Sequence, residues 1–239
     1  MVSARTYEGS ELELFEGAHN WKAYWADKVR PFVRGNALEV GAGIGANLAN
    51  FKELDGVRWT LLEPDPALCD AIRLKIECSQ LPADAQVICG MLRDLPPASS
   101  FNTILYIDVL EHIENDRAEI DAAAERLAAD GHLIVLSPAY QAVYSPFDAA
   151  IGHYRRYDRQ SLLSLTPPTL KPVGAFYLDS LGLALSAVNR FIARQSAPTP
   201  ATIKVWDSSI VPLSRIADVI VGYRVGRSII AVWKKQTPR

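Results

Sequence analysis

The chain has 239 residues, 49% of them hydrophobic and 22% charged. That is ample core material for one large α/β domain with an elaborated loop, and cramped for two independent domains. A formal net charge of -2 excludes a global attraction to nucleic acid or to an anionic membrane, leaving a small or neutral partner as the default. Cys69, Cys78 and Cys89 are odd in number and form no CxxC pair, so reduced thiols in a cytoplasm are expected, with neither a disulfide framework nor a structural zinc.

The opening run MVSARTYEGSELELF mixes charges with few apolar residues and does not read as a signal peptide. Residues 1–34 are expected to form a helical cap on a core sheet over 35–178. Apolar runs suited to buried parallel strands fall at Asn36–Val40, Arg58–Leu62, Gln86–Cys89, Thr103–Ile107 and His132–Ser137. Helical periods between them predict helices over Gly45–Leu54, Pro66–Glu77 and Asn115–Ala129, the last stopped by Asp130-Gly131. Strand and helix alternating in this way give a doubly wound, mostly parallel sheet with helices on both faces.

After Pro138 a loop rich in Tyr, Arg and Asp leads to a short helix near Arg159–Leu165, ended by Pro167-Pro168. Strands at Lys171–Leu178 and Arg227–Trp233 complete seven, the terminal one antiparallel. Residues 227–239 then carry the last strand and tail of a single domain. About 50 residues separate these two strands, far more than a hairpin needs, so 179–226 reads as a helical insert, either a lid or a homodimer contact. Its Leu181, Leu183, Leu185, Val188, Phe191 and Ile192 recur at helical spacing. Asp179, Asn189 and Arg190 interrupt Leu178–Ala193, which is too short and too polar to span a bilayer.

Chemistry concentrates where the first strand ends. Gly41, Gly43 and Gly45 there let the backbone turn sharply and approach a ligand with no Cβ in the way. Glu63, about 20 residues beyond Gly43, stands where an acidic side chain accepts hydrogen bonds from ribose hydroxyls. The run Gly41 to Ala46 also satisfies GxGxxG/A, so a nicotinamide or flavin enzyme stays open.

Taken in order, Glu39 with the glycines, Glu63-Pro64-Asp65, Ile107-Asp108-Val109-Leu110-Glu111-His112-Ile113 and Ala129-Asp130-Gly131-His132-Leu133 resemble the successive motifs of class I S-adenosylmethionine-dependent methyltransferases. The resemblance covers roughly residues 35–140, and four motifs at compatible spacing are far rarer than one. Ser137-Pro138-Ala139, Asp148, the run GHYRRY from Gly152 to Tyr157, and Gly226 to Ala231 extend it toward a bacterial small-molecule subgroup.

The resemblance implies S-adenosylmethionine as donor. Glu39, Gly41, Ala42, Gly43 and Gly45 would surround its methionyl end, and Glu63 with Pro64 its ribose. Asp108 and Val109 would lie near the sulfonium, and Trp21, beside Asn20 and Trp25, on a closing segment. Met91 stands where the family often has an acidic residue on the adenine, so Met91 and Leu92 would meet adenine through backbone and apolar contacts, with Asp94 a doubtful participant. His112 is the candidate general base, or else a structural histidine, with Glu111 orienting the turn. His153, Tyr154, Arg155, Arg156 and Tyr157 are candidate contacts to a small-molecule acceptor, unless the arginines form a salt-bridge network with Asp148 and Asp158. A metal held by Asp148, His112 and His153 is not expected, because no HxxxH or carboxylate-rich spacing accompanies them. A non-catalytic scaffold and a nicotinamide-dependent oxidoreductase remain the rival functions. With no long basic stripe, a nucleic-acid substrate is disfavoured.

Overall fold

The computed structural model describes residues 11–188 and 199–237. Its strands are β1 (Asn36–Val40), β2 (Arg58–Glu63), β3 (Gln86–Cys89), β4 (Phe101–Ile107), β5 (Leu127–Pro138), β6 (Leu170–Leu178) and β7 (Ser228–Lys235). They form one sheet in the order β3-β2-β1-β4-β5-β7-β6. β1 pairs in parallel with β2 and β4, and β7 runs antiparallel between β5 and β6. The doubly wound sheet and the antiparallel last strand expected from sequence are both present.

The apolar runs are continuous because both faces of the sheet are covered. Successive residues alternate sides: Leu61, Leu105 and Ile134 enter one core with Trp25, Phe51 and Trp59, while Leu62, Ile104 and Leu133 enter the other with Ile120 and Trp233. α1 (Glu11–Glu16) and α2 (His19–Val29) form the N-terminal cap, and α3 (Pro66–Glu77) and α4 (Asp116–Arg126) the crossovers. The Asp65 side chain accepts the Ala67 amide at 2.8 Å with Pro66 in the first turn, which fixes where α3 starts just beyond β2.

Three expectations are corrected. No α-helix spans Gly45–Leu54, where the only helical turn is a 3-10 turn at Leu48–Asn50. Gly41, Gly43 and Gly45 all take positive φ, and the Asn50 carbonyl is taken by Arg30 Nη2 at 3.0 Å, so the chain is satisfied without a helical ladder. Asp130-Gly131 is not a helix stop. α4 ends at Arg126 and β5 begins at once. Asp130, at φ 60, sits in a bulge where the register against β4 shifts between Phe101 and Thr103.

The third correction concerns the cysteines. Cys69 and Cys89 are disulfide-bonded with Cα atoms 6.1 Å apart, and Cys78 is free and exposed. The parallel register sets Cys89 beside Glu63, and the first turn of α3 brings Cys69 to the same strand end. Two residues counted as unpaired on sequence therefore meet, and the thiol argument for a reducing compartment falls with them.

The chain between β4 and β6 also carries α5 (Pro146–Ala150) and α6 (Arg159–Ser164). The insert comprises α7 (Ser180–Val188), α8 (Pro200–Val205), a π-helical turn at Trp206–Ile210 and α9 (Val211–Ile220). Phe191 and Ile192 lie outside the described residues. Two buried carboxylates fasten the insert. Asp179 accepts from Trp206 Nε1 at 2.8 Å and Ser214 Oγ at 2.6 Å, while Asp218 accepts from Tyr24 Oη at 2.9 Å and the Asp179 amide at 2.7 Å. The outer side of α9 presents Leu213, Ile216, Val219 and Ile220 to solvent. Among the described residues no helix is long and apolar enough to cross a membrane.

Candidate active site

The site lies at the carboxyl end of the sheet, in the crevice between β1 and β4 where the strand order reverses, the usual ligand position in open α/β sheets. The amides of Gly41 and Ala42 donate to the Leu62 carbonyl at 2.8 and 3.1 Å, folding the chain back across β2. Gly41 has φ 68, and a Cβ there would lie 2.7 Å from a Val109 methyl carbon. Only glycine lets the two loops come this close. The Gly43 amide donates to Glu63 Oε2 at 2.8 Å and the Asp65 amide to Oε1 at 3.0 Å, so Glu63 ties the glycine turn to β2.

Above this turn opens a cavity of about 220 Å³. Gly41, Ala42 and Gly43 line one side, and Asp108, Glu111 and His112 from the β4 exit another. The loop after β5 contributes Asp148, His153 and Arg156, the cap Trp21 and Lys22, the insert Trp206, and the entry to β7 Arg227. Glu39 is buried under the floor, where its Oε1 accepts from Asn47 Nδ2 at 2.8 Å. Burial raises its carboxyl to about 7 against the opposing Asn47 hydrogen bond.

Asp108, at φ 53, opens onto the cavity yet is ringed by protein. That enclosure raises its carboxyl to about 6, opposed by the nearby His153 and Arg227 side chains. Burial, with Asp108 nearby, pushes Glu111 well above the carboxylate range. Burial and the neighbouring His153 bring His112 down to about 4, so its imidazole is neutral at neutral pH.

The GHYRRY run divides. His153 and Arg156 reach the cavity, both through Asp148. His153 Nδ1 lies 2.9 Å from Asp148 Oδ1, and Arg156 grips the same carboxylate with Nε at 2.8 Å and Nη2 at 3.0 Å. Burial opposes the Asp148 charge, but these hydrogen bonds hold its carboxyl well below the usual range. Arg155 pairs with Asp116 at 2.6 Å, and Tyr157 Oη donates to the same carboxylate at 2.8 Å. Tyr154 is exposed, and Asp158 caps α6 by accepting from the Ser161 amide at 2.7 Å.

Glu39, Gly45, Glu63, Pro64, Met91, Leu92 and Val109 are outside the walls of this cavity. Leu92 is fully buried in the core, and the Met91 amide donates to Asp94 Oδ2 at 2.8 Å. Sequence reasoning missed Lys22, Asn47 and Arg227. Lys22 is nearly buried, its Nζ donating to the Glu16 carbonyl at 3.0 Å, and burial lowers its pKa. Arg227 lies over the Trp206 ring at 4.9 Å. A basic residue at the start of the last strand was the available signal for Arg227, since β7 enters the sheet beside β5, whose end faces the cavity.

Residues 17–166 match the family model described as a methyltransferase domain, and the chain belongs to that family. No curated protein sequence matches it. Among solved structures it is similar to coclaurine N-methyltransferase bound to N-methylheliamine and SAH, at 14% identity and a TM-score of 0.62 over 91% of this chain and 72% of that one. It is also similar to the [4+2]-cyclase SpnF, at 15% identity and a TM-score of 0.63 over 96% and 95% of the two chains. The plantazolicin methyltransferase BpumL in complex with SAH shares 12% identity and a TM-score of 0.55 over 95% and 85%. At these identities the likeness is one of fold.

Proposed function

We propose that this chain transfers a methyl group from S-adenosylmethionine to a small-molecule acceptor. The observation that carries the reading is the positive-φ turn from Gly41 to Gly45 at the β1–β4 crevice, set between the buried carboxylates of Glu39 and Glu63 and opening into the Asp108 cavity. These residues fit the donor. Amides and carboxylates suit its methionyl group and ribose hydroxyls, and the acidic Asp108 side of the cavity suits its sulfonium. When bound, S-adenosylmethionine supplies an electrophilic methyl group and leaves as S-adenosylhomocysteine.

Gly41, Ala42 and Gly43 with Glu39 hold the methionyl end in this reading, and Glu63 with Pro64 the ribose. Gly45, Met91 and Leu92 serve the adenine side, while Asp108, Val109 and Trp21 enclose the reacting end. Displacement at a methyl carbon is governed mainly by positioning. His153 and Arg156, the two members of the GHYRRY run on the cavity wall, orient the acceptor. His112 presents a neutral ring there. Trp206 carries the insert over the cavity, which favours a lid.

A cyclase on the same fold shows that architecture alone does not decide the reaction. The test is isothermal titration of the full chain with S-adenosylmethionine, S-adenosylhomocysteine and NADH, beside Glu63→Ala. Binding of the first two, weakened in the variant, is expected. Preference for NADH, or no binding of either sulfur ligand, overturns the reading.

A further inference from the structure

Glu111 and His112 leave the end of β4, and His153 follows α5 on a separate loop. One donor atom from each side chain can be chosen so that all three lie within 4.8 Å of one another. Their remaining atoms are already committed. Asp148, gripped by Arg156, accepts from His153 Nδ1 at 2.9 Å, so that nitrogen carries the proton and Nε2 keeps its lone pair. The Gly152 carbonyl accepts from one nitrogen of the His112 ring, which leaves the other with its lone pair. Glu111 Oε2 accepts from Ser137 Oγ at 2.9 Å, whereas Oε1, fully buried, receives no hydrogen bond.

An orphaned buried oxygen costs about 1–3 kcal/mol unless something binds it. What faces it is His153 Nε2 at 3.9 Å, close to the spacing of two ligands that each sit about 2.0–2.2 Å from one ion. The His112 and His153 rings stand at 81° with centroids 4.5 Å apart, edge to face and not stacked, and a nitrogen of each can be chosen within 4.8 Å of the other and of a Glu111 oxygen. Histidines oriented by a carboxylate and a backbone carbonyl, beside a hydrogen-bonded carboxylate, are what a metal centre requires of its surroundings.

We propose that Glu111, His112 and His153 bind one divalent first-row metal ion such as Zn²⁺, with its remaining positions open to an oxygen of the acceptor. The donor set, two imidazoles and one carboxylate, suits zinc, cobalt or iron better than magnesium or calcium. Asp148, considered as a ligand on sequence grounds, instead orients His153.

The ion's part in catalysis rests on the methyl-transfer reading above. An acceptor hydroxyl bound to it becomes more acidic and loses its proton to water. The new O–CH₃ bond then forms as the S–CH₃ bond of the donor breaks, and sulfur keeps the bonding pair.

The test is to strip the full chain with EDTA, titrate it with Zn²⁺ by calorimetry, and record the visible spectrum with Co²⁺. One ion per chain is expected. Glu111→Gln and His153→Ala should each weaken binding at least ~100-fold, and Asp148→Asn about 10–100-fold. His19→Ala, at an exposed position on the cap, should leave it unchanged. Glu111→Gln keeps the volume of the side chain, so it stays informative if His153→Ala fails to fold by circular dichroism. No stoichiometric ion, or an affinity indifferent to Glu111→Gln, overturns the site. S-adenosylhomocysteine titrated into the stripped protein separates the two readings. Binding of it without a metal site sinks this proposal alone, and a metal site without it sinks the donor reading alone.

Discussion

Asp207 accepts the backbone amide of Trp21 at 2.8 Å across 186 residues of chain. It accepts the Asn20 amide too, at 3.2 Å, so a carboxylate from the insert satisfies the first amides of α2. Cap and insert thereby become one wall, with Trp21 and Trp206 in ring contact at 5.7 Å and both facing the cavity.

Asp207→Ala should therefore cost about 1–2 kcal/mol, the usual worth of a helix cap, or roughly 2–8 °C in melting temperature for a chain of this size. It should also weaken S-adenosylhomocysteine binding, because Trp21 loses its anchor. Calorimetry on the variant reads both quantities. An unchanged melting temperature would mean that the insert does not hold α2.

Gly41→Ala meets two obstacles, a left-handed backbone and Val109 methyl carbons 2.7 and 2.9 Å from the new Cβ. A loss of about 1–3 kcal/mol is expected. Adding Val109→Ala removes the steric part and should recover some of it, leaving the backbone part. A double-mutant cycle in urea measures the coupling; additive losses would show that the two loops do not touch.

The sheet was legible because both its faces are buried. Alternating contacts on two covered faces produce unbroken apolar runs, and each of the seven strands overlaps its run, although β5 starts at Leu127, ahead of the run that marked it. Gly41, Glu63 and Asp108 were legible as strand-end residues beside a turn. The Gly45–Leu54 segment was not, since side-chain partners such as Arg30, distant in sequence, replace its helical hydrogen bonds. Cys69–Cys89 depends on which strands lie side by side, and counting cysteines does not supply that. The division of labour between Arg155 and Arg156 also escaped, because adjacent residues of an extended loop point to different partners, Asp116 and Asp148.

That difference is measurable. Arg156 makes a forked pair with the fully buried Asp148, and Arg156→Ala removes that cationic partner, at a cost of about 3–5 kcal/mol in urea unfolding. Arg156→Lys keeps the charge but loses the fork, and should fall between the variant and the parent. Arg155 is more exposed than Arg156, so Arg155→Ala should cost within about 1 kcal/mol. Equal losses at the two positions would contradict the partition.

Glu39 sets a pH dependence whose sign is fixed by its burial. Its carboxyl is raised from 4.5 to about 7, so between those values the folded chain holds more protons than the unfolded one. Stability from this group is then full below about pH 4.5 and is lost as pH rises through about 7. Glu39→Gln stays neutral, so its melting temperature relative to the parent should climb between pH 5 and pH 8, on the order of a few degrees. Donor binding should run the other way. If Glu39 meets the ammonium of the methionyl group, the anion is the binding form, and affinity for S-adenosylhomocysteine in the parent should strengthen as pH rises toward 7. Parallel melting curves of parent and variant at every pH would show that Glu39 is already ionised in the free protein. A pH-independent affinity in the parent, with stability still falling, would place the ammonium away from Glu39 and also from Asp108, whose carboxyl is raised to about 6.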